Sequence, residues 1–156
     1  MLVLASSSPR RSELLKEWGY EFTRVEAPVS EELAPGILPE AGVMELAGRK
    51  ALSGLKAWQS VKGFNQDFVL GADTIVVLHQ RILGKPKDKR DAEEMLLALS
   101  GNTHQVMTAV ALADNSQLEG NIWSDLEITT VSFRKLDRAE ILAYIATGEP
   151  MDKAAA

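Results

Sequence analysis

The run Phe68-Val69-Leu70-Gly71-Ala72-Asp73-Thr74-Ile75-Val76-Val77-Leu78 constrains this chain more than any other segment. It is the most strand-like stretch in the sequence, yet it carries one acid near its middle. An ionised carboxylate in an apolar strand is costly unless it is paired, metal-bound or at the strand's open end. Gly71 beside it permits a bend or the close approach of another backbone. Asp73 therefore marks either a site that binds Mg²⁺ or activates water, or a cap on a neighbouring turn.

The segments around this strand alternate between strand and helix patterns, which predicts an α/β fold. Leu2 to Ala5 reads as a short buried strand, and a helix is expected from Pro9 to Trp18, stopped at Gly19. Phe22 to Val25 is a second candidate strand. Residues 26–38 hold two prolines, a glycine and three acids and read as a loop, followed by a helix from Pro39 to Trp58. After the long strand, His79-Gln80-Arg81 reads as a hairpin turn returning through Ile82 and Leu83. Lys87 to Leu99 has helical spacing and ends at Ser100-Gly101. The runs 104–113 and 122–133 flank the polar turn Asp114-Asn115-Ser116 and predict an antiparallel pair. A last helix is expected over Asp137 to Ala146. Crossovers together with hairpins imply a mixed rather than a purely parallel sheet.

At 156 residues the chain has the length of one domain. Its 46% apolar and 25% charged residues exclude a disordered or collagen-like chain. A net charge of −5 argues against an extended nucleic-acid-binding surface, though not against a local phosphate site. With no cysteine, disulfides, Cys-ligated zinc, iron–sulfur clusters and thiol nucleophiles are excluded. The opening MLVLASSSPRR reverses the order of a signal peptide, and no run nears the ~18 to 20 apolar residues of a membrane span. A cytoplasmic protein without membrane partners is the expectation.

Other residues are candidates for chemistry. Ser6-Ser7-Ser8-Pro9-Arg10-Arg11 places hydroxyls, a helix start and two guanidiniums together, which suits an anion as well as it suits a capped helix with solvated arginines. The spacing of a Walker loop is absent. Lys50 falls close to the apolar face of its helix, where a lysine either snorkels or meets a buried anion; its spacing alone favours snorkelling. Arg49 is set to pair with Glu45 at i, i+4. Lys85, stiffened by Pro86, reads in isolation as an exposed turn lysine. Glu31 and Glu32 read as solvated acids, but with Asp73 and Asp152 they can form a hard-cation site. Two histidines, His79 and His104, are too few for a multi-His metal site. Trp18, Trp58 and Trp123 are expected in core or interface packing.

Taken in order, the segments LASSSPRR (4–11), SEE (30–32), LAGRKA (46–51), GADTIVV (71–77), GKP (84–86), LSGNTHQVMTAVAL (99–112), TTVSFRKL (129–136) and YIATGEPMDKA (144–154) resemble the Maf family of nucleoside triphosphate pyrophosphatases. The resemblance spans the whole chain. It implies a mixed twisted sheet with flanking helices around a deep cleft, as in inosine-triphosphatase-like folds. It also implies release of pyrophosphate from a nucleoside triphosphate, with a divalent cation, Mg²⁺ or Mn²⁺, as cofactor. Asp73 matches the family's proton acceptor. Ser6, Arg11, Lys50 and Lys85 match positions associated with the triphosphate, and Arg10 one associated with substrate choice. Glu32 and Asp152 match acidic positions associated with metal and water. Thr74 resembles the branch acting on dTTP and UTP, where a Gln or Glu would resemble the 7-methyl-GTP branch.

Relatives of this pattern continue past the DKA segment with an aromatic residue, a glycine and a base-reading Gln, so the chain is expected to lack the family's C-terminal segment. A homodimer is common among members. The rival expectations are a 7-methyl-GTP pyrophosphatase and a regulator of cell division that binds nucleotides without turnover. A water-activating carboxylate beside a basic cradle favours catalysis, since binding alone needs no such acid.

Overall fold

Short apolar runs separated by amphipathic stretches become six strands and four α-helices in the computed structural model, which describes residues 1–26, 28–116 and 121–156. In chain order these are β1 (Leu2–Leu4), α1 (Pro9–Glu17), β2 (Phe22–Arg24), α2 (Pro39–Lys62), β3 (Phe68–Leu78), β4 (Arg81–Leu83), α3 (Lys89–Leu99), β5 (Thr103–Asp114), β6 (Ile122–Ser132) and α4 (Arg138–Ala146). A 3₁₀ turn, Glu149–Asp152, follows. Position 27 of the expected loop and positions 117–120 after the expected turn lie outside the described residues. The mixed α/β architecture read from the sequence is present. Two compact units divide the chain: residues 1–73 with 109–126, and 74–108 with 127–156.

In the first unit the strand order is β2-β1-β3-β5-β6. β1 runs parallel to both β2 and β3, with Leu2 opposite Phe22 on one side and Phe68 on the other. Parallel neighbours need crossover connections, and α1 and α2 supply them. Val3, Val43, Ala47, Ala51, Leu55 and Val69 are buried. Small residues let α2 approach the sheet. A Cβ on Gly54 would lie 2.4 Å from the Ala5 Cβ, and one on Gly71 would lie 2.3 Å from the Ala51 backbone nitrogen. Side chains alternate along a strand, so Val69, Gly71 and Asp73 all face α2. At the far end of α2, Trp58 Nε1 donates to Asp67 at 2.9 Å, and Asp67 also meets the Met1 α-ammonium at 2.9 Å. That ammonium and the Trp58 donor hold the Asp67 carboxyl below its usual range.

In the second unit β4 returns antiparallel along β3, with Leu78 opposite Arg81. β5 and β6 run antiparallel: Gly101 donates to Arg134, Phe133 donates to Asn102, and Thr103 and Ser132 share a hydrogen bond of 2.8 Å. One core gathers Val76, Leu78, Leu99 and Ala155, and a second gathers Ala92, Leu96, Ile141 and Ile145 between α3 and α4. Asp88 caps α3 by accepting from Asp91 N–H at 2.8 Å. Asp137 and Glu140 close a reciprocal capping box on α4.

Several boundaries differ from expectation. α2 runs on to Lys62 because nothing breaks the helix until Gly63, at φ 66°, whose N–H donates to Gln59. α3 begins at Lys89, two residues later than expected, because Asp88 takes the cap. The hairpin turn is His79-Gln80, both left-handed at φ 47° and 63°, so Arg81 already pairs in β4. Of the tryptophans only Trp58 enters a core; Trp18 and Trp123 are 69% and 53% exposed, the latter lying 6.5 Å from the Phe68 ring. Among the described residues, no helix is long and apolar enough to cross a membrane.

Candidate active site

The site begins with the contact between α2 and β3. Because Gly71 has no side chain, the backbone of α2 at Ala47 and Ala51 reaches the strand directly. Lys50 and Asp73 are thereby brought together, and Lys50 Nζ forms a short ion pair with Asp73 Oδ1. The two side chains are only 15% and 12% exposed. This corrects the snorkelling expected for Lys50. Its ammonium turns inward because an anion waits there, and Asp73 is charge-compensated rather than capping a turn.

A second carboxylate shares the same ammonium. Glu31 Oε1 lies 3.2 Å from Lys50 Nζ, and Glu31 is more than half exposed. Glu32, its neighbour in the acidic loop, is tied through its main chain: its N–H donates to Ser30 Oγ at 3.2 Å and its carbonyl accepts from Arg49 at 2.7 Å. Two carboxylates around one cationic point are hard oxygen donors of the kind that Mg²⁺ and Mn²⁺ take, so the donor set fits such a cation. Among the described residues no three His, Cys, Asp or Glu side chains converge as a complete metal cage. The rest of a cation's shell would have to come from water and phosphate oxygens, as is usual for Mg²⁺.

The turn from β1 into α1 forms the basic side of this unit. Ser8 is the N-cap residue in extended conformation and Pro9 occupies the first helical position. Ser8 makes no side-chain cap bond. Ser6 does the local work: its Oγ accepts from the Ser8 N–H at 3.2 Å and from Arg11 Nη1 at 3.3 Å. Arg24 on β2 donates to the Ser6 carbonyl at 3.2 Å, a tie that nothing in the sequence announced. Burial pushes the Arg11 guanidinium below its ordinary pKa, Asp73 and Glu31 draw it back up, and Arg10 adds to the fall. Arg11 thus feels the same carboxylates that hold Lys50. The first turn of α1 contains no acid, so its positive dipole end stays uncompensated by its own helix.

Within the first unit Arg11 bonds Ser6 and is within electrostatic range of Asp73 and Glu31, the two carboxylates on Lys50, while Arg10 is exposed at the same helix start. Three expected residues belong to the second unit. Thr74 Oγ1 shares a hydrogen bond of 3.0 Å with Thr108 Oγ1 on β5. Lys85 is exposed beside the buried Pro86, and Asp152 is exposed at the end of the 3₁₀ turn. His104 is buried edge-on against Phe133, 4.9 Å between ring centroids, and burial lowers its pKa.

The family model described as Maf-like protein matches residues 1–156. The chain belongs to the Maf-like family. The dTTP/UTP pyrophosphatase of Desulfitobacterium hafniense (strain Y51) is 56% identical over 156 residues, which is all of this chain and 69% of that protein. Proteins of the same name from Yersinia pestis and Pseudoalteromonas atlantica are 50% and 46% identical, over 99% of this chain and 74% and 77% of theirs. Among solved structures, protein VC0702 from Vibrio cholerae matches over 97% of this chain and 73% of its own at 12% identity, with a TM-score of 0.40. Within this Maf-like chain the motif reading found Lys50 and Asp73 but did not join them. It placed Glu31 only in a shared acidic set with Glu32, Asp73 and Asp152, because loop conformation leaves no periodic trace in sequence.

Proposed function

We propose that this Maf-like protein is a cytoplasmic nucleoside triphosphate pyrophosphatase that hydrolyses dTTP and UTP to the monophosphate and pyrophosphate. The observation that carries this reading is the buried Lys50–Asp73 pair, shared with Glu31 and within electrostatic reach of Arg11. A binding protein would gain affinity by removing an acid from beside a triphosphate. Here an acid stands beside the basic groups, as a base that activates water would.

In the free protein Lys50 satisfies Asp73. An arriving triphosphate offers the ammonium a second, more highly charged partner, and Asp73 is then available to accept a proton from water. That water attacks the α-phosphorus, the bond from this phosphorus to the bridging oxygen breaks, and pyrophosphate departs with the bonding pair. Arg10, Arg11 and Lys50 offset the charge that develops on the phosphate oxygens. A divalent cation, Mg²⁺ or Mn²⁺, held by Asp73 and Glu31, would spread that charge further. Glu32 and Asp152 keep their assignment to metal and water, Lys85 to phosphate and Thr74 to base choice, on the family resemblance alone. Removal of surplus or modified pyrimidine nucleotides is the corresponding role.

Steady-state pyrophosphate release from dTTP, UTP and 7-methyl-GTP at matched Mg²⁺ tests the reading. The two pyrimidine nucleotides should be turned over with kcat/KM about 10- to 100-fold above that for 7-methyl-GTP, the range expected from a few hydrogen bonds to the base. A preference for 7-methyl-GTP would reassign the branch. Release from none of the three would refute the pyrophosphatase reading.

A further inference from the structure

We propose that Arg49, one residue before the site lysine, is a positioning residue that clamps the acidic loop so that Glu31 reaches the Lys50–Asp73 pair. The inference rests on the reading of that pair given under Proposed function.

The loop before α2 has no regular structure of its own through residues 28–34. Its described ties to α2 come from three side chains. Ser53 Oγ donates to the Pro28 carbonyl at 3.3 Å. Lys50 holds the Glu31 carboxylate at 3.2 Å. Arg49 Nη1 donates to the Ser30 carbonyl at 3.0 Å and to the Glu32 carbonyl at 2.7 Å, the two carbonyls that bracket Glu31 in sequence. The other end of the same guanidinium is occupied: Arg49 Nη2 pairs with Glu45 one turn earlier on α2. Glu45 thus orients the fork, and the fork fixes the main chain on both sides of Glu31.

This division of labour explains why an exposed carboxylate sits on a buried ammonium. Glu31 is 56% exposed, and a side chain so placed loses rotamer freedom when held, so its ion pair alone contributes little. With the main chain on both sides immobilised by Arg49, only the Glu31 side chain is left for Lys50 to order. A lysine at position 49 has a point charge and no planar fork, and it would not serve Glu45 and two carbonyls together.

Hydrogen exchange on the metal-free, nucleotide-free protein tests the clamp directly. Arg49→Ala should speed exchange of the amides of residues 29–33 about tenfold, as expected for loss of hydrogen bonds from a charged donor. The amides of Val43 to Trp58 in α2 should keep wild-type protection. Unchanged loop exchange overturns the proposal, and so does exchange that rises equally through α2.

Kinetics supplies the second arm. Arg49→Ala and Glu31→Gln should each lower kcat/KM for dTTP about tenfold, and Arg49→Ala should add less than twofold in the Glu31→Gln background. Arg49→Lys should behave like Arg49→Ala. Effects that multiply in the double variant, or full rescue by lysine, contradict positioning through Glu31. Failure of the underlying site reading looks different, with Asp73→Asn and Lys50→Ala both turning over like wild type. The exchange measurement needs no turnover and decides the clamp in either case.

Discussion

The two units of this chain differ in how far they enclose an ion pair. In the second unit Arg134 meets Glu140 with side chains 68% and 41% accessible, Arg90 meets Glu94 with 87% and 65%, and Arg138 of α4 meets Glu93 of α3 with 73% and 19%. The first two join close neighbours in sequence and cap or decorate helices, and exposed pairs of that kind are worth little in free energy. In the first unit Lys50 and Asp73, from a helix and a strand, are almost enclosed. Enclosed pairs seldom add stability over apolar residues of the same shape, yet they are expensive to break. The exposed pairs therefore read as features of a surface. The enclosed pair needs a reason to exist, and the chemistry of the site is that reason.

The sharpest way to break this contrast is Asp73→Asn. The amide keeps the shape and removes the base, so turnover should fall by a factor on the order of 10² to 10⁴. Nucleotide affinity, measured by calorimetry, should hold or rise, because a negative charge beside the triphosphate has gone. Near wild-type turnover would shift the base to Glu31, Glu32 or Asp152.

Lys50→Met comes next in size. It strands Asp73 in a nearly buried position and should cost roughly 3 kcal/mol in urea unfolding. Lys50→Met combined with Asp73→Leu should recover most of that loss while remaining inactive. If the double variant is no more stable than the single, the pair is structural and the contrast between the units collapses.

The smallest effect belongs to an exposed pair. Arg134 and the Asp137 N–H hold the Glu140 carboxyl at about 2. A carboxyl lowered in the folded state contributes stability above its ordinary value near 4.5, and the contribution fades as pH falls toward 2. Arg134→Gln should return most of the Glu140 shift in an NMR titration and leave the thermal midpoint at neutral pH almost unchanged. A large loss of midpoint would show that this exposed pair matters as the enclosed one does.

Much of this was legible before the structure. Asp73 stood out because an acid in the run FVLGADTIVVL has no cheap resting place, and Gly71 signalled close backbone approach. Helix and strand existence followed from periodicity, which is why β3 and the capped start of α4 fall where expected. For Lys50 spacing alone leaned to snorkelling over a buried anion, because helical spacing shows which face a residue borders but not what the opposing strand presents. The choice between Glu31 and Glu32 was equally closed to sequence, since loop conformation is set by contacts such as Arg49 with the Ser30 and Glu32 carbonyls. Of the core and interface alternatives expected for the tryptophans, Trp58 takes the core, while Trp18 and Trp123 are exposed, because composition alone does not distinguish an aromatic in a core from one on a surface.

The most direct test of the central claim is the fate of the attacking oxygen. Hydrolysis of dTTP in ¹⁸O-labelled water, read by mass spectrometry, should place one label in the nucleoside monophosphate and none in pyrophosphate, because water delivered at Asp73 attacks the α-phosphorus. Label in pyrophosphate, or orthophosphate as the first product, would contradict that account.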